Sequence, residues 1–415
     1  MKSIFEPITV ALAQLQSSKL RSFLSLLGIL IAVGAVTGIV SIGEGLQAVI
    51  VKEFDNIGGF TSIWSWEPNM WYQNKSKKWV HRNWEEHITQ RDIEAIMAET
   101  DKVEFIMPNR WVPLNNSQIQ YRGEIASVRA LISTSPVFAY MENWVVEKGR
   151  FLDYLDMRNA SKVVVLGYQI AYDLFGPGVD PIGKEVKLDG RRYTVVGVMQ
   201  HKKFFDNDYD NRVVMPLTTA QKRIIGHDYL GYIKVKVKHP HDVPEVVEAM
   251  KRVYRRLHAH GDEFNIRTGE AAMEEISRVL LIMKIVAGGI AGISLLVGGI
   301  GIMNIMLVSV AERTREVGIR MALGAKRNDI LRQFIIEAIV LCLVGGMFGI
   351  LFGIGIGQAI SAYITGLTKM DFPSVMSPML MGIAVGFSLS VGLVFGVYPA
   401  WRASKLDPVE ALRYE

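Results

Sequence analysis

The sequence predicts an integral membrane protein: an α-helical bundle of four transmembrane helices with an inserted α+β extracytoplasmic domain. Half of the 415 residues are hydrophobic, and four apolar runs carry at most one charge each. About 235 residues of mixed polarity separate the first run from the second. A hydrocarbon core of roughly 30 Å needs about 20 residues of helix, so each run is long enough to span it.

The first run, residues 23–42, has 20 residues without a charge and follows Lys2, Lys19 and Arg21. It is longer than the apolar core of a signal peptide and lacks a small-residue cleavage site. We therefore interpret it as an uncleaved anchor that follows a cytoplasmic segment, residues 1–22. The later runs predict a stalk and second helix at 279–310, a third helix at 334–364 and a fourth at 376–399.

Lys and Arg are unevenly distributed between the segments that flank these runs. Twelve lie in segments 1–22, 311–333 and 400–415, whereas segment 365–375 has only Lys369. Short loops rich in Lys and Arg stay in the cytoplasm. We therefore expect a multi-pass protein of the inner cell membrane with both termini and segment 311–333 in the cytoplasm. Segments 43–278 and 365–375 are then extracytoplasmic.

Small residues recur at helical spacing within the predicted spans. The third span carries an i, i+4 ridge formed by Gly345, Gly349, Gly353 and Gly357. Two shorter pairs, Gly34 with Gly38 and Gly392 with Gly396, repeat the spacing. Small side chains let membrane helices approach closely, so we predict that the ridge packs against another helix.

The long segment between the first two spans predicts short strands mixed with single helices. We expect strands at 162–166, 185–188 and 192–198, and a helix at 168–175 before a Gly-Pro-Gly turn. Asp189-Gly190 is a hairpin signal. In a further strand at 232–239, apolar residues alternate with lysines, which predicts one buried face. An amphipathic helix is expected at 243–260, and the mixture favours α+β subdomains over a doubly wound sheet.

One short segment holds five of the eight tryptophans: Trp64, Trp66, Trp71, Trp79 and Trp84. Amphipathic aromatic side chains suit a surface that meets a partner, a substrate or the membrane interface. Ordinary packing of a small domain is the alternative. We treat the segment as a candidate partner or substrate surface.

Signatures of nucleotide binding and catalysis fail at decisive positions. Gly178, Gly183 and Lys184 resemble the start of a phosphate-binding loop, but Glu185 replaces the hydroxyl that would hold magnesium. The single cysteine, Cys342, excludes an intrachain disulfide and lies in an apolar run. We therefore expect no catalytic residues in this chain.

Metal and nucleic-acid sites are also not expected. Asp206, Asp208 and Asp210 alternate as in a calcium loop, but the turn glycine and the terminal glutamate are missing. The pairs His239 with His241 and His258 with His260 lack an evident third ligand. The net charge of +5 is small for this length and does not indicate a nucleic-acid partner.

Four stretches of the sequence resemble one family. Residues 298–338 read GGIGIMNIMLVSVAERTREVGIRMALGAKRNDILRQFIIEA and closely resemble the corresponding segment of MacB-type permeases, the FtsX-like family. The stretches VVVLGYQIAYDLFG and DPIGKEVKLDGRRYTVVGVM resemble the periplasmic core domain of that family, and YPAWRASKLDPVEALRYE resembles its C-terminal signature. The resemblance covers nearly the whole chain except residues 64–87.

The resemblance implies a permease dimer, with a second copy of this chain, on cytoplasmic ABC ATPase subunits. ATP and magnesium are then used by the ATPase and no cofactor is bound here. Because only 22 residues precede the first span, we expect the ATPase on a separate chain. The helices of spans one and two are expected to continue outside as stalks that carry the core domain.

The resemblance also implies a coupling helix in segment 311–333. Its expected residues are Glu312, Arg313, Arg315, Glu316, Val317, Gly318, Arg320 and Met321. We predict a helix over 312–323 in which Val317, Met321 and Gly324 form an apolar stripe beside a charged side. We also expect Val317→Asp to weaken ATPase docking without unfolding the chain.

The function implied is coupling of ATP hydrolysis inside to movement of the domain outside, for export of periplasmic peptides, toxins or amphiphiles. A MacA-like adaptor and an outer-membrane channel are the further partners expected. An FtsX-like regulator of a cell-wall hydrolase and a lipoprotein-release permease are the alternatives. The neighbouring genes would discriminate between them.

Overall fold

A computed structural model describes residues 19–56, 58–68, 71–73, 79–81, 84–204, 207–368, 372–374, 378–407 and 411. The chain forms two compact units. The helical unit comprises Met1–Ile50 and Ile276–Glu415, and the α+β unit comprises Val51–Glu275.

The helices follow in chain order, with some short ones in the α+β unit. They are α1 (Lys19–Asn56), α2 (Gln90–Glu99), α3 (Phe138–Met141), α4 (Tyr154–Asn159), α5 (Tyr168–Phe175), α6 (Leu217–Ala220), α7 (Val243–Leu257), α8 (Gly269–Glu312), α9 (Thr314–Ala322), α10 (Arg327–Thr368) and α11 (Pro378–Ser404). In the part of the chain that the structure describes, four helices are long and apolar enough to span a membrane: Leu27–Lys52, Gly269–Glu312, Arg327–Leu367 and Ala384–Ser404. The predicted four-helix class is thus confirmed.

The strands that the structure describes all lie in the α+β unit, and 12 of the 16 form its main sheet. They are β1 (Ser62–Trp66), β2 (Trp71–Gln73), β3 (Trp79–His81), β4 (Val103–Val112), β5 (Gln118–Tyr121), β6 (Glu124–Ser127), β7 (Ala130–Thr134), β8 (Val146–Gly149), β9 (Val163–Leu166), β10 (Glu185–Leu188), β11 (Arg191–Met199), β12 (Lys203–Phe204), β13 (Asn207–Asp208), β14 (Arg212–Pro216), β15 (Tyr232–Val237) and β16 (Asn265–Thr268). The main sheet runs β16-β1-β15-β4-β7-β14-β9-β11-β10-β5-β6, and β8 pairs with β11. Among the described residues, β2 pairs only with β3, and β12 only with β13.

Most neighbours in the main sheet are antiparallel, and β7 with β14 and β9 with β11 are parallel. The predicted α+β class is confirmed, although one sheet extends across the regions that the sequence divides into subdomains. The predicted helix 168–175 is α5, and the predicted hairpin is β10–β11. Asp189 and Gly190 adopt φ values of +48° and +81° in its turn. Two consecutive residues with positive φ are what a tight hairpin of matching twist requires.

One prediction for this unit is wrong: β15 does not have a solvated lysine face at Lys234. The side chain is 1% exposed, and its Nζ lies 2.9 Å from Oε1 of Glu142 and 5.4 Å from the Trp64 ring centroid. β15 is an interior strand between β1 and β4. Glu142 and Trp64 therefore cover the face that the alternating sequence pattern predicts to be solvent-exposed.

In the helical unit, several glycines lie in close contact with neighbouring helices. A Cβ built on Gly28 of α1 would lie 2.7 Å from Cα of Gly298 in α8. Cβ atoms on Gly392 and Gly396 of α11 would meet Ile339, Ala338 and Cys342 of α10. Apolar side chains from all four long helices and from α9 fill the core.

The helices extend beyond the predicted spans at several ends. α1 continues 14 residues past Ile42, and α10 begins at Arg327. α11 continues to Ser404, past Pro399, the residue at which the predicted fourth span ends. Ala400 and Ala403 are fully buried, so packing of this last turn outweighs the hydrogen bond lost at the proline.

Candidate functional site

The segment between α8 and α10 forms its own short helix, α9. The predicted bounds, 312–323, are wrong at both ends. Glu312 is the last residue of α8, and α9 begins at Thr314 after a single non-helical residue, Arg313. Gly324 adopts φ +97° outside the helix and its amide bonds to the carbonyl of Met321. A glycine in this conformation ends a helix, so Gly324 is not part of an apolar stripe.

The inner face of α9 packs into the core of the helical unit. Val317 is 5% exposed, Gly318 is buried, and Met321 is half-buried against the same apolar cluster. Because Val317 is buried, Val317→Asp is expected to disturb packing, contrary to the sequence-based prediction that this variant stays folded. Nearby, Nη2 of Arg320 lies 2.7 Å from Oε1 of Glu316, as the i, i+4 spacing predicts.

The outer face of α9 carries charges together with two exposed apolar residues. Arg315 and Glu316 are exposed, as is Glu312 at the end of α8, and so are Ile319 (44%) and Leu323 (84%), the residue that follows α9. The residues predicted from sequence do not include this apolar pair, although the i, i+4 spacing of Ile319 and Leu323 between charged residues indicates it. A large apolar side chain that projects from a charged helix suits a protein partner.

The glycine ridge on α10 lies against α1. A Cβ atom built on Gly349 would lie 2.8 Å from Cβ of Val33. A Cβ atom built on Gly353 would lie 2.7 Å from the carbonyl oxygen of Gly34. Gly357 faces Ser41 and Ser374, whose hydroxyl oxygens are 3.0 Å apart, and Gly345 is buried. The ridge is thus in contact with α1 at three successive glycines, and the contribution of that contact to stability is a prediction.

The five clustered tryptophans do not form one surface in the described residues. Trp64 and Trp66 lie in β1 inside the main sheet and are half-buried. Trp84 packs edge-on against Phe264, with ring centroids 5.6 Å apart. Trp71 and Trp79 belong to the β2–β3 pair, and their side chains lie outside the described residues. A partner or substrate role for this set stays a prediction.

The rejected motifs occupy ordinary structural positions. Gly178 and Gly183 have positive φ in the turns between α5 and β10, and Nζ of Lys184 lies 5.3 Å from the Phe175 ring centroid. Asp210 is buried and accepts a hydrogen bond from the amide of Lys202, and Asp206 lies outside the described residues. Within the described ranges, no three His, Cys, Asp or Glu side chains are grouped to hold a metal ion.

Two family models match the chain. A model described as MacB-like periplasmic core domain matches residues 22–253, and one described as FtsX-like permease C-terminal matches residues 288–408. The chain is 33% identical over 426 residues to the macrolide export ATP-binding/permease protein MacB of Bdellovibrio bacteriovorus, covering 100% of this chain and 62% of the relative.

It is also 34% identical over 415 residues to the pyoverdine export ATP-binding/permease protein PvdT of Pseudomonas syringae pv. syringae, covering 99% of this chain and 60% of that protein. The chain thus spans about three fifths of the length of these relatives. The solved periplasmic region of MacB from Actinobacillus actinomycetemcomitans aligns with 55% of this chain and 97% of its own, with 18% identity and a TM-score of 0.45.

Proposed function

Because this chain belongs to the family of permeases that combine a MacB-like periplasmic core domain with an FtsX-like C-terminal region, we propose that it is the membrane subunit of an export ABC transporter. In this function the α+β unit is extracytoplasmic and the helical unit spans the inner membrane. ATP hydrolysis on the cytoplasmic side drives movement of the α+β unit, which releases periplasmic peptides, toxins or amphiphiles for export.

The observation that carries the proposal is the two-sided construction of α9. Its inner residues, Val317 and Met321, belong to the apolar core that the membrane helices share. Its outer residues, Ile319 and Leu323, are exposed together with charged neighbours. A short helix that is fixed to the bundle and open on its other face is suited to receive a partner and to pass its movement on.

The partner proposed for this face is a cytoplasmic ABC ATPase, which binds ATP and magnesium itself. Two copies of this chain are proposed to act with two ATPase subunits. A periplasmic adaptor and an outer-membrane channel complete the proposed exporter. This chain contributes no catalytic residue to the proposed cycle.

Site-specific photo-crosslinking tests the ATPase partner directly. Benzoylphenylalanine in place of Leu323, in the full chain expressed in its host, is expected to crosslink a protein whose peptides identify it as an ABC ATPase. Tyr154 of α4, which is 66% exposed in the α+β unit, is the control position. Capture of an ATPase from position 154, or of no ATPase from position 323, would contradict the assignment.

Leu323→Asp and Ile319→Asp are expected to weaken ATPase binding by about tenfold each or more, since buried apolar anchors dominate interface energies. Both side chains are exposed, so the variants should keep the parental melting temperature. Binding to the captured ATPase is measured with the full chain in nanodiscs. Asn328→Asp, also exposed, introduces the same charge a few residues away and is the matched control. Parental affinity in both variants would exclude this face.

The proposed orientation predicts opposite accessibility for two engineered thiols. Lys187→Cys on β10 is expected to react with a membrane-impermeant maleimide added outside spheroplasts, and Asn328→Cys only after lysis. Both positions are exposed, and the natural thiol of Cys342 is fully buried. Reaction of position 328 from outside would reverse the topology.

The alternatives predict different behaviour of the same reconstituted complex. An export permease moves substrate out of the periplasm, a lipoprotein-release permease transfers an acylated protein, and a hydrolase regulator activates a cell-wall enzyme without transport. Activation of a hydrolase together with absence of transport would replace export by regulation.

A further inference from the structure

The junction between α8 and α9 is a one-residue elbow. Arg313 has φ −107° and ψ 13° and lies between the last residue of α8 and the first of α9. The Thr314 hydroxyl donates to the carbonyls of Val310 and Ala311 at 3.0 and 2.9 Å. Such side-chain bonds to the preceding turn bend helices. A force on α9 would be absorbed by bending here unless other contacts hold α9 in place.

A buried ion pair lies at this elbow. Glu337 of α10 is 0% exposed, and its Oε1 lies 3.3 Å from Nη1 of Arg313. Its other oxygen, Oε2, is buried with no hydrogen-bond partner among the described residues. A buried carboxylate depends on its counter-charge, because the interior does not solvate it. Arg313 is half-buried and supplies that charge.

A second polar contact joins α9 to α10 farther along α9. Nη1 of Arg320 donates to Oε1 of Gln333 at 2.7 Å. Gln333 and Glu337 are four residues apart on α10, so both contacts lie on one side of that helix. Val317, between the two arginines in sequence, shares an apolar cluster with Phe334 and Ala338 of α10.

We infer that Arg313 and Glu337 are positioning residues that lock α9 to α10, so that displacement of α9 is delivered to the third membrane helix and is not lost at the elbow. The inference rests on the proposed function for the origin of the force. The lock itself is a property of this chain alone and is measurable without any ATPase.

The decisive variant replaces both charges by apolar side chains, Arg313→Met with Glu337→Met. Replacing a buried pair by apolar residues of similar volume leaves a fold intact or makes it more stable, so this variant removes the directional contact and not the packing. Spin labels at Leu323→Cys and Met347→Cys, both exposed, report the position of α9 against α10 in a Cys342→Ala background. The full chain is measured in nanodiscs after dilution with unlabelled chain.

The parent is expected to give one narrow distance distribution, and the double variant to lose it while keeping the parental melting temperature. In a complex with the ATPase, the double variant should hydrolyse ATP without moving the α+β unit. Glu312→Gln alters an exposed carboxylate next to Arg313 and should retain the narrow distribution.

A parental distance distribution in the double variant would overturn the inference. If the double variant does not assemble, Glu337→Gln, which keeps the side-chain shape, is measured in the same way, with the same two outcomes. Failure of ATPase recruitment in the parent would contradict the proposed function and leave the distance result unaffected.

Discussion

Gly353→Leu is expected to disrupt the helical bundle, whereas Gly355→Leu on the same helix is expected to be tolerated. A Cβ atom alone at position 353 would lie 2.7 Å from the carbonyl oxygen of Gly34 and 2.7 Å from Cβ of Thr37. The carbonyl belongs to the α1 backbone, so it cannot rotate away. Overpacking destabilises a fold by about 1–3 kcal/mol, and occasionally more, where neighbours can shift. We expect the cost of Gly353→Leu to lie at the upper end of this range.

The single cysteine gives a direct measurement of this effect. Cys342 is fully buried in α10, so a maleimide dye that fluoresces on reaction reports unfolding of the helical unit during heating. We expect the thiol transition of Gly353→Leu to fall well below that of the parent. Gly355 has no atom within 4 Å of its built Cβ and receives the same side chain as the control. Equal transitions for the two variants would show that α1 and α10 do not approach closely at this ridge.

Glu142→Ala is expected to destabilise the α+β unit by about 3–5 kcal/mol, the range for removing one member of a buried ion pair. The substitution takes away the carboxylate that faces the buried ammonium group of Lys234. It also removes the acceptor for the Tyr209 hydroxyl, which lies 3.1 Å from Oε2. Burial, together with the charge of Glu142, raises the pKa of Tyr209, so this hydroxyl stays protonated and donates.

Tryptophan fluorescence of the full chain measures this prediction, because seven of the eight tryptophans lie between residues 64 and 144. Glu147→Ala, at an exposed carboxylate, is the matched control and should melt as the parent does. Glu142→Leu combined with Lys234→Met should recover most of the lost stability, since apolar replacement of both members removes the desolvation cost. If Glu142→Ala had the same melting temperature as Glu147→Ala, the ion pair would contribute nothing to stability. The buried lysine would then be held by other contacts.

Local properties of the sequence determined the membrane spans, the α+β class and several individual elements. Span positions follow from run length against bilayer thickness, which needs no knowledge of neighbours. Helix α5 ends where Gly176-Pro177-Gly178 breaks it, and Asp189-Gly190 marks the β10–β11 turn, because these residues set their own backbone conformation. The i, i+4 spacing of the ridge glycines also predicted a helix contact, but it did not identify α1 as the helix in contact.

Only the tertiary structure decided which faces are covered and which charges meet. In the sequence, Lys234 stands in an alternating pattern that predicts a solvated side chain. In the structure it is covered, because β1, whose Trp64 lies 170 residues earlier in the chain, pairs beside it. Glu337 reads as an interruption of an apolar run, and its partner Arg313 lies 24 residues away, at the non-helical junction between α8 and α9. Val317 and Leu323 are both apolar residues of a charged segment, but one is buried and the other exposed. Burial and pairing of this kind depend on contacts between residues distant in the chain, and local patterns carry no information about those contacts.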